Sequence, residues 1–80
     1  MRLSELKVNQ SAKIIQIHHL NNPAGADPIA IRLVSLGFVS GEKVEIMTRS
    51  LFGGDPILVK IGFARFALRR AEADRIEIEI

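Results

Sequence analysis

The final residues of the chain carry the pattern that most restricts its fold. Ile76, Ile78 and Ile80 alternate with two glutamates. Because successive side chains of a strand point to opposite faces, this alternation predicts a strand with one buried face. Runs rich in Ile, Leu and Val recur along the chain, and with eleven Ile and five Val it is rich in β-branched residues. Such residues fit a pleated sheet better than a helix, so the sequence predicts a mainly β protein.

Four more runs have the character of strands, and Gly, Pro, Asn and Asp separate them. With the terminal run, the predicted strands lie at about residues 10–19, 43–46, 57–61, 63–68 and 76–80. A short turn is predicted between the last two, at about residues 71–74. In the first, Ile14, Ile15 and Ile17 do not alternate cleanly, which indicates a bulge or burial on both faces. The second and third flank the turn segment L-F-G-G-D-P and predict a hairpin.

One short helix is predicted after the first strand, at about residues 28–36. Asp27 can accept a backbone hydrogen bond as its cap, Pro28 suits the first helical position, and Gly37 ends the helix. The apolar stripe consists of Ile29, Leu33 and Leu36. Two helical turns do not persist alone, so the helix must pack against the sheet. Five strands and one helix predict a small barrel, closed or nearly closed, forming a single domain over residues 1–80.

Several classes of protein are excluded by composition. The chain contains no cysteine, so it has no disulfide framework, thiolate metal site or cysteine nucleophile. No apolar run approaches the roughly 20 residues of a membrane-spanning helix, and the opening M-R-L-S-E-L lacks the order of a signal peptide. We therefore expect a cytoplasmic protein with no direct membrane insertion. The net charge of +2 is spread along the chain and is weak evidence for nucleic-acid binding.

Neither a catalytic centre nor a cofactor site is predicted. His18 and His19 are neighbours that a strand would point to opposite faces, so we interpret them as polar strand-end residues rather than metal ligands. The segment G-F-V-S-G-E-K departs from a phosphate-binding loop, because three residues separate its glycines and Glu42 precedes Lys43. We expect no enzyme activity, no metal and no cofactor.

Two surface features remain as candidate contact sites. The first is a basic cluster: Arg65, Arg69, Arg70 and Arg75, with Phe63 and Phe66 nearby. It could bind RNA, but carboxylates follow at once and Tyr and Trp are absent, so a solvated, salt-bridged face is favoured. The second is the turn at Leu51 and Phe52. Phe52 either covers the barrel end or forms, with Leu51, an exposed apolar anchor for a protein partner.

Four motifs in order resemble the ferrous iron transport protein A (FeoA) family. They are L-S-E-L-K followed by V-N-Q-S-A-K-I-I, then L-G-F-V-S-G-E-K-V after the helix, G-D-P-I, and A-L-R-R-A-E-A-D-R-I. The resemblance implies an SH3-like five-stranded barrel and a small accessory of bacterial ferrous iron uptake. Its implied partner is the FeoB-type membrane permease, which carries a cytosolic G-protein domain.

The resemblance also implies roles for particular residues. Gly37, Gly41 and Val44 would belong to the structural core of the motif, and the surface around the loop 51–56 would contact the partner. The predicted partner-binding residues are Leu51, Phe52, Asp55, Arg65 and Arg69. A weak homo-oligomer is compatible with this interpretation. The alternatives are a nucleic-acid-binding barrel that uses the arginines, and a metal-responsive regulatory domain in which a histidine binds iron or zinc.

Overall fold

Five antiparallel strands form one sheet in the order β4-β3-β2-β1-β5. The computed structural model describes residues 1–19, 27–50, 53 and 55–80. Its elements are a 3₁₀ helix Leu3–Glu5, β1 Ser11–Ile17, α1 Pro28–Ser35, β2 Lys43–Arg49, β3 Ile57–Ile61, β4 Ala64–Leu68, α2 Arg70–Ala73 and β5 Ile76–Glu79. The mainly β class, the five strands and the helix inserted after β1 are confirmed. No described helix is long and apolar enough to cross a membrane.

Strand β1 lies between β2 and β5 and contains the irregularity that its sequence indicates. Its register against β5 shifts between Ile14 and Gln16, which is the bulge expected where apolar residues fail to alternate. Ile14 is buried, whereas Ile15 and Ile17 are half-buried. The strand ends at Ile17, two residues before the predicted limit at His19.

The meander β2-β3-β4 buries one side of each strand. Val44 and Ile46 of β2 are fully buried, as are Ile57 and Val59 of β3. β3 and β4 are joined by a two-residue turn, Gly62–Phe63. The φ of Gly62 is +57°, and a glycine at the first position of such a turn fits type II′, whose twist matches the twist of the strands.

Helix α1 begins at the predicted residue and ends one residue before the predicted limit. The Asp27 carboxylate accepts the N–H of Ala30 at 3.3 Å, and Pro28 takes the first helical position. Leu33 is fully buried against the sheet. Gly37 follows the helix with φ +103°, a conformation that side chains with a Cβ rarely adopt.

The core is continuous from the sheet to the N-terminal segment and α1. Its fully buried members contributed from outside the strands include Leu3, Leu6, Leu33 and Phe38. The Phe38 ring contacts the half-buried Phe66 ring, with 5.9 Å between ring centroids. Burial of these large side chains is the main stabilising term available to a chain without disulfides.

Two local predictions were wrong. Residues 70–73 form a one-turn helix rather than a turn, because the Glu72 carboxylate accepts the N–H of Arg69 and Ala73 is buried in the core. Ile80 does not share the buried face of Ile76 and Ile78. It lies beyond the last residue of β5 and is 77% exposed.

The sheet has two edges that differ in their surroundings. Along β5, the N–H of Ile78 donates to the carbonyl of Met1 at 2.8 Å, and Arg2 forms a bridge with Glu77. Strand β4 pairs only with β3 among the described strands. In the described part of the chain α2 connects β4 to β5 without pairing between them, so the sheet is open there rather than closed.

Candidate functional site

Of the five predicted partner-binding residues the structure describes three, and these three do not line one groove. Leu51 and Phe52 lie outside the described residues, so both hypotheses about Phe52 remain predictions. Asp55, Arg65 and Arg69 are described, and all three are exposed. Asp55 and Arg69 lie together at one end of β4, whereas Arg65 lies towards the other end.

The part of this surface around Asp55 is a shallow groove. Its lining residues are Arg32, Asp55, Pro56, Ala67, Arg69 and Glu72. The Asp55 carboxylate accepts the backbone N–H of Arg70 at 2.6 Å, which attaches the turn before β3 to the start of α2. Glu72 accepts the N–H of Arg69 and also forms an ion pair with Arg32 of α1. The two carboxylates of this groove thus connect the elements that line it: Asp55 contacts the start of α2, and Glu72 of α2 contacts α1.

Arg65 lies directly beside a second cation on the neighbouring strand β3. In the register of β3 and β4, Arg65 pairs with Lys60. Like charges opposite each other destabilise a sheet slightly, and neither side chain forms an ion pair with a described residue. Arg69 lies four positions after Arg65 along an extended chain, so about 13 Å separates the two Cα atoms. Arg65 is therefore outside the groove that contains Asp55.

The turn Gly62–Phe63 presents the most exposed large apolar side chain of the described residues. Phe63 has 108% of its reference exposure. Phe63 is near the basic cluster in the sequence but was not among the predicted partner-binding residues. The signal was present, since a glycine between two alternating runs suits the first position of a two-residue type II′ turn, and this leaves the next residue at the hairpin tip.

Phe63 begins a row of exposed residues along the outer side of β4. The row consists of Phe63, Arg65, Ala67 and Arg69, and is called the β4 row below. Its members alternate with Phe66, which is half-buried, and Leu68, which is fully buried. Within β4, alternation places Arg65 and Ala67 on this side of the strand, while Phe63 in the turn before β4 and Arg69 directly after it extend the row at its two ends.

The predicted arginine cluster is divided by the fold. Arg75 forms an ion pair with Asp27, with 2.7 Å between Nη1 and Oδ2, and both side chains are nearly buried. It is consequently unavailable to an external ligand. The nucleic-acid alternative loses one of its four cations, although Arg65, Arg69 and Arg70 stay exposed.

The two histidines end β1 in different surroundings. His18 Nε2 lies 2.6 Å from Glu77 Oε1, and the Gln16 amide donates to the same oxygen at 3.2 Å. The hydrogen bond from His18, followed by that from Gln16, holds the pKa of Glu77 below its ordinary value of 4.5. His19 is exposed. Across residues 1–19, 27–50, 53 and 55–80, no group of three His, Asp or Glu side chains has the arrangement of a metal site.

Comparison with known proteins identifies close relatives. The FeoA domain family model matches residues 1–80. FeoA of Stenotrophomonas maltophilia, solved as a zinc complex, is 44% identical with a TM-score of 0.87, and the match covers 99% of this chain and 89% of that one. That protein is described as an SH3 domain protein and a suggested ferrous iron transport activating factor. FeoA of Chlorobium tepidum is 34% identical with a TM-score of 0.81, over 100% of this chain and 70% of that one.

The same fold occurs in a more distant protein. A manganese-dependent transcriptional repressor complexed with manganese is 22% identical with a TM-score of 0.77, over 99% of this chain and 35% of the repressor. No curated protein sequence gives a significant match. The open five-stranded sheet therefore has the SH3-like fold, and the chain belongs to the FeoA family, which is linked with ferrous iron transport.

Proposed function

We propose that this protein is a cytoplasmic accessory of bacterial ferrous iron uptake that acts by binding, not by catalysis. Its partner is the cytosolic part of the FeoB-type permease, and binding modulates the transport or GTPase cycle of that permease. Membership of the FeoA family supports the link with ferrous iron transport. The suggested role of the Stenotrophomonas relative as an activating factor supports an accessory role.

One observation carries the binding hypothesis, namely the complete exposure of Phe63 at the tip of the hairpin that joins β3 to β4. An aromatic side chain buries about 150–250 Å² when it enters a pocket, and such residues often dominate binding energy. The two-residue turn restrains the backbone that carries the ring, so little backbone entropy is lost on binding. Lys60 and Arg65 flank the tip without ion-pair partners among the described residues, which favours an acidic surface around the receiving pocket.

Titration of labelled protein against the cytosolic part of the permease tests this proposal. The wild type should bind with and without guanine nucleotide, with an affinity that falls as salt rises because exposed charges contribute. Phe63→Ala should weaken binding at least about tenfold, the effect expected of a buried aromatic anchor. The GTPase rate of the permease, measured in the same titration, reports any modulation.

Val34→Ala is the matched control, because Val34 is also an exposed apolar residue but lies on α1. It should leave the affinity unchanged. Absence of binding at tens of micromolar protein, in every nucleotide state, would refute the proposed function. Phe52→Ala and Arg65→Glu in the same titration test the partner-binding residues predicted from the sequence.

A further inference from the structure

The outer edge of β4 has backbone groups that no described residue pairs. Ile61 and Ala64 flank the two-residue turn, so they exchange hydrogen bonds with each other. Alternation along the strand then directs the N–H and C=O of Ala64, Phe66 and Leu68 towards β3. The same groups of Arg65 and Ala67 point away from the sheet, where no described strand pairs with β4.

The other edge of the sheet is covered. Met1 accepts a hydrogen bond from Ile78, and Arg2 forms a bridge with Glu77 beside it. Proteins commonly protect exposed strand edges, because an unpaired edge is a template for another strand. The β5 edge thus pairs with the N-terminal residues of the same chain. The β4 edge presents five residues of extended backbone, and no described residue pairs with them.

The side chains of the β4 row determine which strand could add there. Arg65 and Arg69 lie about 13 Å apart on the same side, and neither forms an ion pair with a described residue. Ala67 between them is small and leaves the backbone accessible. A second copy of β4 would bring like charges together, whereas an extended acidic segment would pair with both guanidinium groups.

We infer that the β4 edge binds an extended acidic segment of the permease's cytosolic part, which adds to the sheet as a further antiparallel or parallel strand. This inference rests on the proposed function and assigns the surface and the chemistry of recognition. Main-chain hydrogen bonds to Arg65 and Ala67 supply affinity that is independent of sequence. Carboxylates spaced to meet Arg65 and Arg69 select the segment, and Phe63 enters an apolar pocket at its end.

Two variants of the full chain test the backbone and the charges separately. Ala67→Pro removes an N–H that points away from β3, so the β3–β4 pairing is retained while the edge loses a donor. The double variant Arg65→Glu with Arg69→Glu reverses the charge of the row. Lys13→Glu is the matched control, because Lys13 is an exposed cation on β1, three strands from the β4 edge. Thermal unfolding of each variant verifies that it is folded.

Titration with the permease's cytosolic part and amide exchange measured by NMR give the readouts. Ala67→Pro and the double variant should each weaken binding at least about tenfold, and Lys13→Glu less than about twofold. In the wild-type complex, the amides of Arg65 and Ala67 should exchange at least about tenfold more slowly than in the free protein.

Three results would overturn the inference. If both variants bind as tightly as the wild type while Phe63→Ala does not, the β4 edge is not used although the proposed function stands. If the two amides become protected in concentrated free protein, the edge pairs with a second copy instead. If the wild type does not bind the permease at all, the proposed function itself fails.

Discussion

The carboxylate of Asp27 binds two groups that are distant in sequence. One oxygen caps α1 through the N–H of Ala30, and the other pairs with the guanidinium of Arg75. The cap was predicted because Asp27 and Pro28 are adjacent. The ion pair was not, because 48 residues separate Asp27 from Arg75 and local patterns do not contain such a contact. The same contact removes Arg75 from the predicted basic cluster.

Replacement of Asp27 should therefore cost more than an ordinary helix cap. Asp27→Ala loses the cap and leaves Arg75, whose side chain is 13% exposed, without this carboxylate. The free energy of unfolding should fall by about 3 kcal/mol, as measured by urea denaturation. Asp27→Asn keeps an oxygen for the cap and should lose less. A change below about 0.5 kcal/mol in both variants would contradict this account.

The contact between His18 and Glu77 predicts how stability depends on pH. Hydrogen bonds hold the pKa of folded Glu77 below 4.5, so the unfolded chain binds more protons near that pH. The stabilisation is complete above the unfolded pKa and is lost as the pH falls through the lower folded pKa. Glu77→Gln should therefore flatten the rise of the free energy of unfolding that the wild type shows as the pH increases to about 5.

Glu79→Gln is the matched control for this pH measurement. Glu79 lies on the same strand, and its side chain forms no hydrogen bond or ion pair with a described residue. The difference between the two variants isolates the contribution of the hydrogen bonds that Glu77 receives. Equal pH profiles for Glu77→Gln and Glu79→Gln would show that those hydrogen bonds have no effect on stability.

At the scale of the element, α1 covers the sheet through one side only. Leu33 is fully buried, whereas the adjacent Val34 is 48% exposed. Leu33→Ala should lower the free energy of unfolding by about 3 kcal/mol, because it removes apolar contacts and leaves a cavity. Val34→Ala should change it by less than about 0.5 kcal/mol. Similar losses in both variants, measured by chemical denaturation, would mean that the packing of α1 differs from that described.

The two helices differ in how far the sequence predicted them. A cap, a proline, an apolar stripe and a terminal glycine all indicate α1, and the prediction is confirmed within one residue. α2 has only four residues, too few for an apolar period, and was predicted as a turn. Two contacts stabilise the helical turn: Ala73 is buried in the core, and the backbone N–H of Arg69 donates a hydrogen bond to the Glu72 carboxylate. The burial of Ala73 depends on the whole fold, so the local sequence does not predict it.

At the scale of the molecule, alternation and turn residues predict the strands but not the sheet's edges. The β5 edge is covered because the N–H of Ile78 donates a hydrogen bond to the carbonyl of Met1, and no local sequence pattern predicts that contact. The candidate site shows the same limit. Asp55 and Arg69 line one groove, whereas the length of β4 separates them from Arg65. Sequence patterns identify the individual strands. Which residues of neighbouring strands lie side by side depends on the register of the sheet, and local patterns do not contain that information.

The order of the strands also predicts a folding sequence. β2, β3 and β4 pair with their neighbours in the chain, whereas β1 pairs with β5 through contacts such as Lys13 with Glu79. Because local pairing costs less loop entropy, we expect the meander to form in the transition state. Val59→Ala should then mainly slow folding, with a φ-value above about 0.5, and Ile78→Ala should mainly speed unfolding, with one below about 0.3. Stopped-flow kinetics would measure both, and reversed values would refute this order.

The pairing of β1 with β5 has a consequence for biosynthesis. The ribosome makes β1 early, but 59 residues separate Ile17 from Ile76, the first residue of β5. At about 5–20 residues per second, β1 waits roughly 3 to 12 seconds for that neighbour. During this interval Ile14, which the complete fold buries, lies beside an unpaired strand edge. The nascent chain is therefore most open to aggregation, and to chaperones, after β1 has emerged and before β5 has.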